Sequence, residues 1–422
     1  MIGIDICSIT RFSKMKNLEK FIKRYFTSEE IDYISSTGKR DETIAGIFCL
    51  KEAFVKAIGT GFGNISPIDV EVIHNFSGKP DLIIHNEIFK IIEQISCSVS
   101  HDSEYAIAVV DVKFLSIELD TKNILAYKNL MSNRKVDGHK GDFGKVGIIG
   151  GSLGMCGSVD LCAKASLRTG SGLVYNICPN SISNILQIKA VENIVLSIPD
   201  DNRGCFILKY VDEIIEKIKN LDAIAIGCGL GRNEENRKIL EMIIKNFQKP
   251  IVIDADAIFF LKDIKSDILN RDNIIITPHE VEFSRMSLYD LEDIKKNRLG
   301  IVNKFFEKNY KFTIVLKGKN TIVKSNKELC INNTGNCGMA TAGSGDCLTG
   351  IILSLLGQGL SVFNSAKLGV FIHGLAGDFA KEEIGEDSII ASDIIKFLPK
   401  AIKYIRKWYY VWKSVIDFCW FR

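Results

Sequence analysis

Ala342-Gly343-Ser344-Gly345-Asp346, running into the apolar stretch 347–356, is the junction whose reading decides the C-terminal fold. Two glycines let the backbone turn sharply and approach an anion closely. The free N–H groups of a first helical turn favour negative charge at that place. Asp346 then stands beside a bound phosphate, where a carboxylate serves as a base or a metal partner. On these residues alone a capping Asp is the better account, because many helices open on a glycine turn with an Asp near the N-cap. The neighbouring segments change that balance.

Upstream, from His139, short apolar strands each precede a helical pattern: 146–149, 172–177, 223–226, 251–253, 274–276 and 313–316. Such alternation predicts an α/β domain with a mainly parallel sheet covered by helices on both faces. Folds of this kind bind ligands outside the carboxyl ends of their strands. Several of these strands end in polar or glycine-rich groups: Gly150-Gly151-Ser152, Gly227-Cys228-Gly229-Leu230-Gly231, Asp254-Ala255-Asp256, Thr277-Pro278-His279-Glu280 and Lys317-Gly318-Lys319-Asn320-Thr321. Asp254 and Asp256 are equally serviceable as caps of a strand-to-helix turn. No internal repeat is visible.

Residues 1–112 have a different texture, that of a small α+β domain: strands over 2–6, 70–73, 82–85 and 105–112, helices around 18–34 and 43–58, and a helix near 87–95. Residues 113–137 are polar and weakly patterned, with a short helix at 124–132, and are taken as a linker to a second domain over 138–406. The tail 407–422 holds all three tryptophans, Trp408, Trp412 and Trp420, at helical spacing. A partner-binding or membrane-surface helix is one reading; a weakly constrained appendage is the simpler one.

Composition sets the outer limits. A chain of 422 residues with 46% apolar and 25% charged residues has ample core for two or three domains. A net charge of +3 argues against a general nucleic-acid surface. Twelve scattered cysteines without a C-x-x-C pair indicate reduced thiols, not a zinc or redox site. The N-terminus lacks a basic region followed by a long apolar one, and no apolar run reaches membrane-spanning length. A cytoplasmic location is expected.

Asp5 lies in a strand of Gly3, Ile4 and Ile6, a costly place for an uncompensated carboxylate. Glu52 and Lys56 are four apart on a helix, and from spacing alone an ordinary ion pair is the simpler reading. The local sequences go further. Gly3-Ile4-Asp5-Ile6, Phe26-Thr27-Ser28-Glu29-Glu30, Lys51-Glu52-Ala53-Phe54-Val55-Lys56-Ala57 with Gly59-Thr60-Gly61, Gly78-Lys79-Pro80 and Ser98-Val99-Ser100-His101 resemble holo-acyl-carrier-protein synthase. The resemblance implies transfer of 4′-phosphopantetheine from coenzyme A to an acyl-carrier-protein serine in fatty acid biosynthesis, with Mg²⁺ on Asp5 and Glu52 and Lys56 on phosphate. Two hard carboxylates suit that ion. It also implies a homo-oligomer, typically a trimer with sites between subunits. His101 either shapes the site or is merely hydrogen-bonded. One departure is Ile47, in Ala45-Gly46-Ile47-Phe48, where the family usually carries arginine.

Residues from roughly 120 to 406 resemble the ADP-dependent (S)-NAD(P)H-hydrate dehydratase, a ribokinase-like enzyme. The resemblance rests on His139-Lys140-Gly141, Gly150-Gly151-Ser152, Ala165-Ser166-Leu167-Arg168-Thr169-Gly170-Ser171-Gly172-Leu173, Gly229-Leu230-Gly231, Asp254-Ala255-Asp256, Thr277-Pro278-His279-Glu280, Lys317-Gly318-Lys319-Asn320-Thr321 and residues 338–350. It implies repair of the hydrated cofactors NADHX and NADPHX. ADP phosphorylates the ring hydroxyl, and loss of phosphate restores NAD(P)H and leaves AMP. Asp346 would be the catalytic base; Lys317, Gly318, Lys319, Asn320, Thr321 and Gly345 would hold the adenosine nucleotide; Ala165, Gly231, His279 and Asp346 would line the hydrate pocket. Val281 stands where the family commonly has glycine. No segment resembles the epimerase domain that often precedes this dehydratase. The competing reading is a ribokinase-like small-molecule kinase joined to a catalytically weak carrier-protein-binding or oligomerisation domain.

Overall fold

The structure, a computed structural model, describes residues 1–422 except 39, 60, 63–64, 77, 86–91, 115–120, 132–133, 135–136, 265 and 420–422. They form two compact units, Met1–Leu125 with Arg406–Arg422, and Ala126–Ile405.

The first unit contains strand β1 (Ile2–Ser8), helices α1 (Thr10–Ser13), α2 (Leu18–Tyr25), α3 (Ser28–Ser36) and α4 (Arg40–Ala57), and strands β2 (Val70–His74), β3 (Pro80–Ile84), β4 (Ile92–Asp102) and β5 (Tyr105–Phe114). β1, β5 and β4 form an antiparallel sheet in that order, and β2 pairs with β3. The period of two sorts the sheet: Gly3, Cys7, Ala106, Ala108, Val110 and Val112 are buried, while the alternating Ile2, Ile4 and Ile6 are 58–69% exposed. Small residues on the inner face let α4 lie close. A side chain at Gly3 would meet Ala53 O at 2.1 Å. The break between α2 and α3 is a capping box, in which Thr27 Oγ1 accepts from Glu30 N and Glu30 Oε2 accepts from Thr27 N.

The helix expected over 87–95 is not borne out at 92–95, which begin β4; 86–91 lie outside the described residues. Apolar residues at 88, 91, 92 and 95 fit a helical period, but Ile95, Cys97 and Val99 also alternate. Pairing with β5 decides between the two periods.

Helix α5 (Thr121–Leu130) occupies much of 113–137, and the division between the units falls inside it. Its later part is held within the second unit, where the Tyr127 ring stacks on Phe371 at 3.9 Å.

In the second unit the strands are β6 (Lys145–Ile149), β7 (Leu173–Pro179), β8 (Ile194–Ile198), β9 (Ala223–Ile226), β10 (Ile251–Ile253), β11 (Ile274–Ile276), β12 (Thr313–Leu316), β13 (Thr321–Lys324) and β14 (Leu329–Asn332). Their order is β14-β13-β12-β11-β10-β9-β6-β7-β8, parallel from β12 to β8 and antiparallel at β13 and β14. The helices are α6 (Cys156–Thr169), α7 (Asn180–Lys189), α8 (Val211–Ile218), α9 (Glu235–Asn246), α10 (Asp256–Phe259), α11 (Ser266–Leu269), α12 (Glu280–Ser287), α13 (Leu291–Lys296), α14 (Arg298–Phe306), α15 (Ser344–Gly357), α16 (Val362–Ile384) and, as far as Ile405, α17 (Ala391–Cys419). The tail's backbone through Cys419 thus continues α17; its tryptophan side chains lie outside what is described.

Alternate residues of each strand feed two cores. In β9, Ile224 and Ile226 join the core with α8 and α9, while Ala223 and Ala225 join the one with α6, α15 and α16. Alanine on that side leaves room for α15 to approach β9. The order of strands reverses between β9 and β6, so the loops after Ile149 and Ile226 diverge at a switch point. They touch there: a side chain at Gly150 would meet Cys228 O at 2.3 Å. Among the described residues no helix is long and apolar enough to cross a membrane.

Candidate active sites

In the first unit, Asp5 faces α4 because odd-numbered residues of β1 point inward. Its Oδ1 accepts from Lys56 Nζ at 2.7 Å, with Asp5 12% and Lys56 52% exposed. Glu52, one turn before Lys56, has its carboxyl raised above the usual range by burial and then by the charge of Asp5. Two crowded carboxylates with an ammonium on one of them fit a divalent cation, which would relieve both the repulsion and the desolvation. Arg11, which the sequence reading did not single out, acts electrostatically on Glu52 and lies over the Phe48 ring at 5.8 Å. Its signal was a lone cation just after β1. The His101 ring lies against Gly46, where a side chain would meet Nε2 at 2.6 Å. Ile47 is buried in the unit's core. Lys51 is structural: it pairs with Glu30 at 2.7 Å, both side chains fully buried, and donates to Tyr25 O and Pro67 O.

In the second unit the strand ends converge on the start of α15. Gly343, at φ +87°, turns the chain into the helix, a conformation suited to glycine. A Cβ on Gly345 would lie 3.4 Å from Lys317 Nζ, so an ammonium stands beside the glycine loop. Asp346, one residue on, forms a cluster with Cys228 and Asp254. Burial first, and the Asp254 charge second, push Asp346 up to about 6; hydrogen bonds to Cys228 and Ser158 oppose this in part. Behind the loop, burial pushes His373 down to about 4, so this ring is neutral when its Nε2 meets Ser344 O at 3.0 Å.

Asp254 is the hub. It is 1% exposed, accepts from Lys317 Nζ at 2.8 Å and from Thr349 Oγ1 at 2.7 Å, and is held below the usual carboxylate range chiefly by Lys317 against the cost of burial. Asp256 accepts from Gly231 N and Arg232 Nε, each at 3.0 Å, and so fixes the loop after β9. Neither carboxylate merely caps a turn.

His279 caps α12: its Nδ1 accepts from Val281 N at 3.2 Å and Glu282 N at 3.3 Å. That network puts the ring proton on Nε2. Burial, then Lys317, lowers its pKa and keeps it neutral. Glu282 lies 3.8 Å from Lys317 Nζ and links this cap to the centre. The turn between β12 and β13 carries Lys317, Gly318, Lys319, Asn320 and Thr321. Arg298 donates to Leu316 O at 3.0 Å, Lys317 O at 2.9 Å and Lys319 O, and pairs with Glu280. Sequence reading passed over Arg298, since one Arg at a helix start has no local signature.

Ala165 stands apart from this gathering. It is fully buried between α6 and α15, where a side chain at Gly350 would meet its Cβ at 3.0 Å. On the same helix Ser158 is the residue that reaches Asp346.

The family model of the NAD(P)H-hydrate dehydratase matches residues 146–400, and that of the 4′-phosphopantetheinyl transferase superfamily matches residues 1–110. The bifunctional NAD(P)H-hydrate repair enzyme Nnr of Dictyoglomus turgidum is 40% identical over 272 residues, 63% of this chain and 51% of that one. The Moorella thermoacetica enzyme of the same name is 36% identical, over 65% of this chain and 52% of its own. This chain therefore spans about half the length of these curated relatives. The ADP-dependent (S)-NAD(P)H-hydrate dehydratase of Neisseria meningitidis is 35% identical over 62% of this chain and 85% of its own. Among solved structures, a ribokinase-like superfamily protein of Enterococcus faecalis shares 26% identity and a TM-score of 0.59, covering 70% of this chain and 99% of its own. The chain belongs to the NAD(P)H-hydrate dehydratase family and carries, ahead of that region, a domain of the 4′-phosphopantetheinyl transferase superfamily.

Proposed function

We propose that the second unit dehydrates (S)-NAD(P)H hydrate with ADP, and that the first transfers 4′-phosphopantetheine from coenzyme A to an acyl-carrier-protein serine. The observation that carries the repair reading is the meeting, at the start of α15, of a glycine loop, the Lys317 ammonium and a carboxyl raised to about 6. The N–H groups of residues 342–345 and Lys317 stabilise charge on the phosphoryl group in flight. Asp346 takes the proton of the ring hydroxyl as its oxygen attacks the β-phosphorus of ADP. The P–O bond to AMP breaks; phosphate then leaves the ring carbon with its bonding electrons, pushed out by the ring nitrogen's lone pair, and the neighbouring ring carbon gives up a proton to water, so that the C–H electron pair becomes the C=C bond of the restored dihydronicotinamide. The turn from Lys317 to Thr321, held by Arg298, grips the nucleotide. His279 offers Nε2–H, and Gly231 its backbone, to the hydrate; Ala165 would act only by keeping α6 against α15. The names of the relatives support the choice of substrate.

In the first unit Asp5 and Glu52 would hold Mg²⁺, which would supply positive charge beside the leaving 3′,5′-ADP. Lys56 would turn from Asp5 to phosphate. The exposed apolar outer face of β1 and β5 supports a homo-oligomer.

Purified full-length protein given hydrated NADH and ADP is expected to regain the reduced-nicotinamide absorbance, and Asp346→Asn to abolish that gain. A stable phosphorylated product without restored absorbance would instead make the unit a small-molecule kinase. Carrier-protein modification is expected to vanish in Glu52→Ala; its persistence would remove the transferase half.

A further inference from the structure

Next to the glycine loop, the second unit has a cavity of about 590 Å³ between α6, the end of α7 and the first turns of α17. Lys164, Arg168, Lys189 and Lys396 line it together with a single carboxylate, Asp160. Asp160 is 5% exposed and meets Lys164 Nζ at 2.9 Å and Lys189 Nζ at 3.3 Å. A carboxylate buried between two ammoniums holds both in fixed places and leaves the wall with a large excess of positive charge. Arg168 and Lys396 are exposed and form no ion pair among the described residues. Four cations gathered on one concave surface, two of them without a counterion, repel one another unless an anion joins them.

The cavity shares its wall with the reaction centre. Leu161 lines it and also packs at the loop, where a side chain on Gly343 would meet Leu161 Cδ1 at 2.4 Å and Ala391 Cβ at 3.1 Å. Ala391 directly precedes Ser392 of the cavity lining. At the start of the same helix Gly157 lines the cavity while its neighbour Ser158 hydrogen-bonds Asp346. From there α6 rises about 16 Å to Arg168, so the cations form a track leading away from the base.

We infer that this cavity seats the phosphate groups of the hydrated dinucleotide whose ring stands at Asp346: its pyrophosphate and, in the 2′-phosphorylated form, the third phosphate as well. The inference rests on the dehydratase reading above. A dinucleotide fixed by its ring at Asp346 must carry its phosphates along some wall, and this one offers a guanidinium for bidentate contact and three ammoniums. The excess charge favours NADPH hydrate over NADH hydrate.

The test is a fluorescence titration of the full chain with NADPH and with NADH, in saturating AMP so that the nucleotide site is filled, beside hydrate kinetics with ADP. The Arg168→Gln/Lys396→Gln double variant is expected to bind NADPH about tenfold or more weakly. NADH should lose less, and reduced nicotinamide mononucleotide, which has no pyrophosphate, nothing. KM for NADPH hydrate should rise with kcat retained, and Arg168→Lys/Lys396→Arg should restore most of the binding. Unchanged NADPH affinity and KM in the double variant, with repair intact, would overturn the cavity's role and leave the dehydratase reading standing. Absence of both NADPH binding and ADP-dependent repair in the wild-type chain would overturn the dehydratase reading, and the cavity's assignment with it.

Discussion

Asp346 is a carboxylate placed where charge is costly, and its behaviour with pH follows from that. Its folded pKa, pushed from an ordinary 3.8 to about 6, means that the base is half protonated near pH 6. Repair activity is expected to fall about tenfold per unit below that point, measured as kcat/KM against pH. The same shift bears on stability, with the opposite sign to a salt-bridged Asp. The folded chain keeps this proton to higher pH than the unfolded chain does, so burial destabilises above pH 3.8 and most fully above 6, by at most about 3 kcal/mol. Asp346→Asn should therefore melt higher than wild type at pH 8 and alike near pH 3.5. A lower melting temperature at pH 8 would mean that the carboxylate is stabilised by its surroundings. Sequence alone located Asp346 after a glycine turn; its burial first, and then the nearness of Asp254 at the end of a strand far away in the chain, are what shift it.

At the scale of elements, the ends of β10 and β12 are joined by one buried ion pair, Asp254 with Lys317. Removing one partner leaves the other charge buried and alone, which costs about 3–5 kcal/mol, whereas replacing both can be nearly neutral. Lys317→Met is thus expected to lower stability by several kcal/mol in urea unfolding, and Asp254→Asn/Lys317→Met to recover most of it, with repair lost in both. If the double variant is as unstable as the single one, the ammonium does more for the fold than balance Asp254. The β12–β13 turn was legible from its Lys-Gly-Lys-Asn-Thr sequence, but its clamp was not, because Arg298 comes from α14, nineteen residues before Lys317 in the chain. The segment 92–95 failed for a related reason: its own apolar period allowed a helix, and only the partner strand selected β4.

Over the whole molecule, the outer face of β1 and β5 exposes Ile2, Ile4, Ile6, Tyr105, Ile107 and Val109 together. The proposed homo-oligomer would associate through this face. Ile4→Glu/Ile6→Lys should move full-length protein toward monomer in sedimentation velocity and lower the transferase rate while leaving repair unchanged; an unaltered sedimentation coefficient would remove the face from the assembly. What the amino-acid sequence determined by itself was the alternation of strand and helix and the small α+β domain before it; Asp5, Glu52, Lys317 and Asp346 became candidates through the motifs that carry the family resemblance. These depend on short-range periodicity, glycine turns and local motifs, which a linear chain displays. What only the tertiary structure decided was β8, β13, β14 and the start of β4, the central place of Asp254, the service of Ser158 and Arg298, the packed position of Ala165, and the basic cavity beside α6. Those depend on groups distant in the chain being brought within a few ångströms, where burial and charge act and where no local pattern records the outcome.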